Sequence, residues 1–424
     1  MIKQYAGIGE SMEMTTLENG LQVCYIPKPD FSKTFAMLAT NFGSVDASFT
    51  LDGVRYDTPA GVAHFLEHKM FEDADGNALQ KFGATGASPN AFTSHTMTAY
   101  HFSCTSDFEK NLEILLKFVF TPYFTDENVE KEKGIIGQEI GMMDDMPNWQ
   151  AYVGMFEGLY TEHPVRISIA GSVESIAPIT PALLLRCHEA FYSPSNMMLI
   201  VCGTADFERV VGMARSLTPK TSKEIAARHY GTRRGAVHQR EVVRTMQISK
   251  PYFMMGVKDI PLAEGESSVK RSMTGELLAR MICGQTSPLF TNLYARGLLN
   301  RRFETGYSLL PEGAYAMFGG ESADPCVVRD EIENRMREMC RDGVDEALFG
   351  RMRNAVYGTY VRCLDQPDEI CRMQAEAGFR GENFGDFAEI FDTITVQDVQ
   401  EMLARWAQPD RTALSLILPR EVKK

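Results

Sequence analysis

Long apolar runs are missing from this sequence, and tryptophan and histidine are scarce. Only 2 tryptophans and 8 histidines occur among its 424 residues. The best uninterrupted apolar run, residues 197–202, has the length of a strand rather than that of a membrane span. The opening segment, MIKQYAGIGESMEM, lacks the apolar core of a secretion signal. The sequence therefore predicts no association with a membrane.

Paired cysteines are missing as well. The 9 cysteines are an odd number, and no two of them are spaced as Cys-x-x-Cys. This pattern indicates reduced, buried thiols rather than a disulfide framework. Together with the lack of a secretion signal, it predicts a cytoplasmic protein.

An excess of positive charge is the third absence. The chain has 43 lysine and arginine residues against 56 aspartate and glutamate residues, which gives a net charge of −13. Such a chain repels phosphate groups, so we expect no nucleic-acid partner. The hydrophobic fraction of 44% supplies enough apolar side chains for globular cores, and the length predicts two to three domains.

Two related halves are visible at a constant spacing. Positions 179 and 394 are 215 residues apart, and the same offset matches a helix, a proline-containing turn and a closing apolar strand. The matched pairs include Ile179/Ile394, Thr180/Thr395, Pro194/Pro409 and Leu199/Leu414. The constant offset predicts that one domain has been duplicated.

The mixture of strands and helices in each half indicates the fold class. We expect an α+β protein with two homologous domains, each a mainly antiparallel sheet with helices packed on one face. The domains are expected at residues 1–217 and 242–424, joined by a polar, basic linker at 218–241. In the first half, strands are predicted at 21–27, 34–42 and 91–103, and helices at 107–121 and 126–144.

The segment His64-Phe65-Leu66-Glu67-His68 carries the chemistry that stands out most. Residues four apart lie on one face of a helix, so His64 and His68 can reach a single metal ion. Glu67 lies on the same stripe and remains free to handle protons. The pattern is the inverted zincin motif, HxxEH, and it predicts a zinc site.

A catalytic zinc site needs a third protein ligand and an open position for water. Glu139 is the best donor, and Glu132 lies on the same helix face, seven residues earlier. Taken singly, the two glutamates would be exposed helix carboxylates, and His64 or His68 would be a core or surface histidine. Their combination favours a metal site. A closed structural zinc site is disfavoured, because such sites are rich in cysteine.

Local signals predict where the two site helices begin and how they pack. Thr58 followed by Pro59 predicts the start of the motif helix, and Thr125 predicts the N-cap of the later helix. Glycines weaken a helix, so those in the later helix predict close packing against the motif helix. These glycines are Gly134, Gly137 and Gly141.

Three segments give the sequence a family resemblance: residues 61–72, 86–93 and 132–139. The chain resembles the pitrilysin/insulinase family of zinc peptidases, in particular the short two-domain branch that is similar to mitochondrial processing peptidase and its bacterial relatives. The resemblance covers essentially the whole chain. It implies that one zinc ion per chain is bound by His64, His68 and Glu139.

The same resemblance implies roles for further residues in the first half. Glu67 would activate water as a general base, and Glu132 would orient a zinc ligand. Asn90, Ala91 and Phe92 would belong to the strand that binds the peptide substrate. An ordinary half-buried strand explains these three residues equally well.

The second half lacks the zinc motif, because other residues occupy the matched positions: Ala279, Ile282 and Cys283. The family also uses an arginine and a tyrosine from this half to hold the substrate. Tyr307 fits that pattern, but Asn300 stands at the expected arginine position, and Arg301 and Arg302 are offset from it.

The resemblance also implies a partner. The family encloses its substrate with four such domains, whereas this chain has two, so a homodimer or a heterodimer with a related subunit is expected, and the partner would supply the arginine and tyrosine. The leading hypothesis is a zinc endopeptidase that acts on unfolded peptides. The alternative is a non-catalytic or partner-dependent subunit of a peptidase-like complex, against which the four intact site residues argue.

Overall fold

Each of the two units of the fold combines segments from both halves of the sequence. The computed structural model describes residues 2–74, 76–231 and 235–420. The first unit consists of Met1–Ile140, Ser168–His229 and Val361–Ala388. The second unit consists of Gly141–Ile167, Tyr230–Tyr360 and Glu389–Lys424.

Strands in the described ranges form two larger sheets and two small ones. Their bounds are β1 Ile2–Tyr5, β2 Glu10–Thr16, β3 Gln22–Pro27, β4 Thr34–Thr40, β5 Ser48–Leu51, β6 Val54–Asp57, β7 Glu72–Asp73, β8 Gly76–Asn77, β9 Ser88–Thr93, β10 Thr98–Cys104, β11 Met197–Gly203, β12 Ala227–Arg228, β13 Glu241–Met246, β14 Tyr252–Asp259, β15 Glu304–Leu310, β16 Gly313–Glu321 and β17 Thr412–Pro419.

Helices cover these sheets. Their bounds are α1 Val62–Met70, α2 Ala78–Gly83, α3 Phe108–Phe120, α4 Asp126–Asp144, α5 Pro147–Leu159, α6 Val173–Ile176, α7 Pro181–Phe191, α8 Phe207–Leu217, α9 Ser268–Cys283, α10 Pro288–Ala295, α11 Pro325–Asp342, α12 Glu346–Cys363, α13 Pro367–Gly378, α14 Phe387–Phe391 and α15 Val396–Trp406. None of the helices in the described ranges has both the length and the hydropathy that crossing a bilayer requires.

The main sheet of the first unit has the strand order β1-β2-β3-β11-β4-β10-β9. Its neighbours pair antiparallel, except that β11 runs parallel to β3. Every residue of β4 and β11 is buried, because both faces of the sheet are covered. α3 packs on one face, with Phe118 against Tyr100, and α13 packs on the other, with Gly378 against Met198.

The sheet of the second unit repeats the centre of the first. Its order is β13-β17-β14-β16-β15, and here too a single parallel pair, β13 with β17, lies among antiparallel ones. α9 packs on β15 and β16, as α1 packs on β9 and β10. The predicted α+β class with two homologous domains is therefore confirmed. The helix on the second face of each sheet, α13 in one and α5 in the other, was not predicted from the sequence.

Two local predictions in the first half are wrong. The motif helix begins at Val62 rather than near Thr58, since the Thr58 hydroxyl donates to the carbonyl of Ala47 instead of capping. The single strand predicted at residues 91–103 is a hairpin, in which a tight turn separates β9 from β10. The turn is closed by a 2.7 Å hydrogen bond from the amide of Ser94 to the carbonyl of Met97.

The predicted glycine contacts of α4 are also wrong. A Cβ atom on Gly134 or Gly141 would meet no heavy atom within 4 Å, and one on Gly137 would only approach Val173 at 3.9 Å. Thr125 does cap this helix, because its hydroxyl accepts a 3.2 Å hydrogen bond from the amide of Asn128. The glycines of α4 therefore do not serve close packing.

The basic segment 218–241 contains regular structure that its sequence did not indicate. β12 pairs with β5 next to the first sheet. Arg228, in β12, forms a 3.2 Å ion pair with the buried carboxylate of Asp46. A strand of two residues is too short to have a sequence period, so the periodicity of the segment could not predict it.

Candidate metal centre

His64 and His68 lie on α1, in the first unit. Close packing determines where this helix begins. Gly61 precedes the helix with φ of 90°, and a Cβ atom there would lie 2.4 Å from the carbonyl oxygen of Ala170. Only glycine combines that backbone conformation with such a close approach. The imidazole rings of His64 and His68 then lie one helical turn apart, with centroids separated by 4.6 Å.

α4 brings Glu139 to the same point. One carboxylate oxygen of Glu139 lies 3.6 Å from Nε2 of His64, and the other lies 3.4 Å from Nε2 of His68. Nearby His64 lowers the pKa of Glu139, which favours the carboxylate form that ligates metals. In the described part of the chain, these three residues form the one group of three or more potential ligands with all donor atoms within 4.8 Å of each other.

The spacing of these donor atoms fits a zinc ion. Tetrahedral zinc with ligands at about 2.0 Å separates those ligands by about 3.3 Å. Each oxygen of Glu139 lies at a comparable distance from one histidine nitrogen, Oε1 at 3.6 Å from Nε2 of His64 and Oε2 at 3.4 Å from Nε2 of His68. Two histidines and one glutamate also leave a fourth position open, as catalytic zinc sites do.

Glu132 and Lys69 lie behind His68. Nδ1 of His68 is 3.1 Å from a Glu132 oxygen, so donation of Nδ1–H to Glu132 leaves Nε2 free to face Glu139. The fully buried ammonium of Lys69 lies 2.8 Å from Glu72 and 3.6 Å from Glu132. Burial tends to raise the pKa of Glu132, but the hydrogen bond with His68 and the charge of Lys69 outweigh it and lower that pKa. Glu132 therefore remains an acceptor.

Glu67 has a different environment from the ligand carboxylate. Its side chain is buried, and the hydroxyl of Thr93 donates a 2.6 Å hydrogen bond to its Oε2 atom. Burial raises the pKa of Glu67, and the opposing effects of Thr93 and the two histidines do not cancel the rise. A carboxyl group with a raised pKa is suited to exchanging protons near neutral pH.

The predicted substrate residues Asn90, Ala91 and Phe92 lie on β9, the last strand of its sheet. β9 pairs with β10 on one side only. The amide of Ala91 donates to the side chain of Asn90 at 2.9 Å, which indicates that this amide points away from β10. The outer edge of β9 thus offers backbone groups to an extended peptide.

The three candidates from the second half lie in the second unit and do not form a group of their own. Arg301 and Arg302 are exposed at the turn before β15. Tyr307 lies inside β15, where its hydroxyl donates to the buried carboxylate of Asp259 at 3.0 Å and its ring stacks on Trp406. Ala279, Ile282 and Cys283 are fully buried in α9.

Two contacts of this site were missed by the sequence analysis, those of Thr93 and Lys69. Thr93 reaches Glu67 across 26 positions, a separation that no local period reveals. Lys69 had a detectable signal, because Glu72 follows it at the helical i,i+3 spacing. That spacing usually marks a solvent-exposed pair, so it did not indicate a buried one.

A duplicated α+β fold with a two-histidine, one-glutamate site in one half defines a class of metallopeptidase-like proteins. Residues 51–171 match the family model described as Insulinase (Peptidase family M16), and residues 178–356 match the model described as Peptidase M16 inactive domain. The chain belongs to the insulinase family, peptidase family M16.

Curated relatives of this chain are named zinc proteases. It is 37% identical to the uncharacterized zinc protease YmfH of Bacillus subtilis (strain 168), over 99% of this chain and 100% of the relative. It is 26% identical to an uncharacterized zinc protease of Mycobacterium tuberculosis, over 91% of this chain and 88% of the relative. These names support a protease function in general.

Solved structures agree on the fold. An M16-like peptidase from Alicyclobacillus acidocaldarius superposes with a TM-score of 0.92 at 34% identity, covering 97% of this chain and 99% of that one. A protease from Helicobacter pylori superposes with a TM-score of 0.82 at 18% identity, covering 96% and 99%. At 18% identity the likeness shows the fold alone.

Proposed function

We propose that this chain is a zinc-dependent endopeptidase that hydrolyses peptide bonds of unfolded peptides. The observation that carries the proposal is the convergence of His64, His68 and Glu139, whose donor atoms have the spacing of zinc ligands. These residues would hold one zinc ion per chain. The zinc protease names of the relatives support the same reading.

In the proposed hydrolysis, the zinc ion and the side chains around it would have different roles. When bound, zinc would polarise the scissile carbonyl and make a water molecule more acidic. Glu67 accepts the proton of the attacking water and later gives it to the amine that leaves. Glu132 keeps His68 in one orientation by accepting its Nδ1–H.

The outer edge of β9 supports an extended substrate. A peptide that adds to this edge as a further strand gains backbone hydrogen bonds around Asn90, Ala91 and Phe92. Such bonds do not depend on side chains, so they suit a peptidase of broad sequence preference. An unfolded peptide can supply a free strand, whereas a folded protein has few to offer.

Replacing Glu67 with glutamine tests the mechanism. Glutamine keeps the shape of the side chain but cannot accept the proton, so E67Q should bind zinc as the parent does and lose cleavage of a quenched fluorescent peptide by at least about 100-fold. Zinc content is measured by metal analysis on the same samples. Glu130, exposed on α4 and paired with Lys133, supplies the matched control E130Q, which should cleave like the parent.

Two outcomes of the E67Q experiment would contradict the proposal. If E67Q with bound zinc cuts the peptide as fast as E130Q, Glu67 is not the base and the mechanism is wrong. If the zinc-loaded parent itself does not cut, the competing function of a non-catalytic or partner-dependent subunit is favoured.

We propose in addition that the active form contains a second chain, identical or related. The offset of Arg301 and Arg302 and the buried hydrogen bond of Tyr307 support a partner that supplies the substrate-holding arginine and tyrosine. Light scattering at the protein concentration of the peptidase assay should give the mass of a dimer, or activity should appear on addition of a related subunit. Full activity from a strict monomer would contradict this part of the proposal.

A cytoplasmic location is also part of the proposal. All 9 cysteines are free thiols, and 6 of them are buried, which suits a reducing compartment. Fractionation of cells that produce the protein should find it with the cytoplasmic markers.

A further inference from the structure

The hydroxyl of Thr93 is the one hydrogen-bond donor to the side chain of Glu67 in the described residues. Thr93 is the last residue of β9, and α1, which carries Glu67, packs against this strand. The bond is 2.6 Å long and reaches Oε2. Among the described residues, none donates a hydrogen bond to Oε1 of Glu67. The two carboxylate oxygens therefore differ in their hydrogen bonding.

The direction of the Thr93 hydrogen bond is set by the carboxylate of Glu67 and agrees with the bonding of a second threonine. Thr98 lies opposite Thr93 in the hairpin, and their hydroxyl oxygens are 3.4 Å apart. The Thr98 hydroxyl donates its proton to the carbonyl of Phe42 at 2.8 Å. Because a carboxylate can only accept, the proton of Thr93 goes to Glu67.

The backbone holds Thr93 in place. The turn that follows it is closed by Ser94 and Met97, and the amide of Ser44 donates to the carbonyl of Ser94 at 3.1 Å. A Cβ atom on Gly43 would lie 2.4 Å from the backbone of His95, so the two loops are in close contact. The hydroxyl that reaches Glu67 is therefore carried by a fixed hairpin rather than by a free loop end.

We propose that Thr93 is a positioning residue for the base of the hydrolysis reaction, an inference that rests on the proposed peptidase function. By holding Oε2, Thr93 leaves Oε1 as the oxygen that faces the attacking water. A C–O bond to the scissile carbon forms as one water proton moves to Oε1. The C–N bond breaks as that proton moves on to the amine nitrogen, which leaves a carboxylic acid and an amine.

The position of Thr93 also relates the base to the substrate. The residue ends the strand whose outer edge is proposed to take up the peptide, two positions after Ala91. The peptide backbone and the carboxylate of Glu67 are thereby positioned by one rigid element. A misplacement of about 1 Å between reacting groups can cost about 100-fold in rate, so such a shared element matters for kcat.

Three variants test the proposal in the zinc-loaded protein. T93V keeps the shape of the side chain and removes the hydroxyl, T93S keeps the hydroxyl, and T96V changes a threonine of the same hairpin that forms no hydrogen bond with Glu67 in the described residues. For T93V we expect kcat on a quenched peptide to fall by at least about 10-fold, with KM within about twofold of the parent and unchanged zinc content. T93S should keep kcat within about threefold of the parent, and T96V should match it.

A second measurement uses the metal-free protein and does not depend on activity. If the hydrogen bond is formed, T93V should lower the urea midpoint in the parent but not in the E67A background, because the partner is already absent there. A T93V variant with the kcat of the parent, or an equal loss of midpoint in both backgrounds, would overturn the inference. A zinc-loaded parent that cleaves no peptide would instead refute the proposed function, and the positioning role with it.

Discussion

Single side chains of the first unit are held in charge states that their surroundings select. Burial raises the pKa of Glu67, whereas the hydrogen bond with His68 and the charge of Lys69 lower the pKa of Glu132 although that residue is buried as well. For the basic side chain of His188, burial acts in the opposite direction and lowers the pKa. Burial lowers the pKa of His188 to about 4, and its Nε2–H donates to the carbonyl of Val119 at 3.0 Å.

The lowered pKa of His188 predicts an acid-sensitive contribution to stability. In the unfolded chain a histidine takes up a proton as the pH falls through about 6.5, whereas folded His188 does so only near pH 4. The free energy of unfolding should therefore fall between these two pH values, by about 2 kcal/mol after allowance for partial exposure. Urea unfolding at pH 7.0 and pH 4.5 measures the loss.

The variant H188Q isolates this contribution. Glutamine can still donate to the carbonyl of Val119 but does not titrate, so H188Q should lose less stability than the parent between the two pH values. H238Q, which replaces an exposed histidine, should lose as much as the parent. Equal losses in H188Q and H238Q would contradict the prediction.

Glu132 gives a second prediction at this scale. Glutamine at this position removes the negative charge that holds Nδ1–H of His68, so E132Q should bind zinc about 10- to 100-fold more weakly than the parent. Competition with a chromophoric chelator measures the affinity. E130Q, on the exposed side of the same helix, should leave it unchanged, and an unaltered affinity in E132Q would mean that Glu132 does not orient the histidine.

For single residues, the sequence predicted only what helical spacing determines, namely which side chains share one face of a helix. Positions four apart on α1 and seven apart on α4 predicted which side chains share a face. How closely the side chains of α1 and α4 approach each other depends on the fold of the whole unit. The hydrogen bond from Thr93 to Glu67 had no signal in the sequence, because a hairpin turn determines where Thr93 lies.

Secondary-structure elements differ in what their glycines do. In α4, a Cβ atom on Gly134 would meet nothing within 4 Å. In α5, a Cβ atom on Gly158 would lie 2.8 Å from Cβ of Ala413 in β17 and 3.2 Å from the carbonyl oxygen of Gln239. The first glycine weakens its helix without a packing benefit, and the second lets its helix lie close to a sheet.

Alanine at Gly134 should stabilise the protein. The exposed helix position gains up to about 1 kcal/mol of helix propensity, and no neighbour has to move. The urea midpoint of G134A should therefore rise, with unchanged zinc content. A lower midpoint for G134A would contradict the prediction that a methyl group at this position meets no neighbour.

Alanine at Gly158 should have the opposite effect. The added methyl group forces α5 away from β17, and such overpacking typically costs about 1 to 3 kcal/mol, more than the gain in helix propensity. The urea midpoint of G158A should fall below that of the parent. The pair G134A and G158A applies one chemical change to two helices, so a difference in sign reports packing alone.

Element bounds were predicted well where periodicity runs over several turns and poorly at the ends. α3 and α4 lie within a residue of their predicted limits, because their apolar and charged patterns repeat. The start of α1 was misplaced, because Thr58 donates to Ala47 instead of capping and because Gly61, left-handed before the helix, lies against Ala170, which is far away in sequence. The division of residues 91–103 into β9 and β10 depends on a turn without glycine or proline, so no breaker residue marked it.

The whole molecule should respond to zinc as a ligand of the folded state. If zinc binds at His64, His68 and Glu139, zinc at about 100 times its dissociation constant stabilises the chain by about 2.7 kcal/mol. A chelator should then lower the midpoint of thermal unfolding, and added zinc should restore it. The H64A variant should show neither response, whereas a parent that is indifferent to the chelator would argue against a bound ion.

The sequence by itself determined the duplication and the candidate ligands. Both follow from spacing along the chain, the 215-residue offset between halves and the helical periods within α1 and α4, and spacing survives without tertiary contacts. Only the tertiary structure decided that α5 packs on the second sheet and α13 on the first, that Glu139 meets both histidines, and that Thr93 holds Glu67. All of these contacts join segments that are separated in sequence, so no local pattern encodes them. The two helices pack where they do because each sheet has two apolar faces to cover, and the polar contacts follow from how the folded unit brings α1, α4 and β9 together.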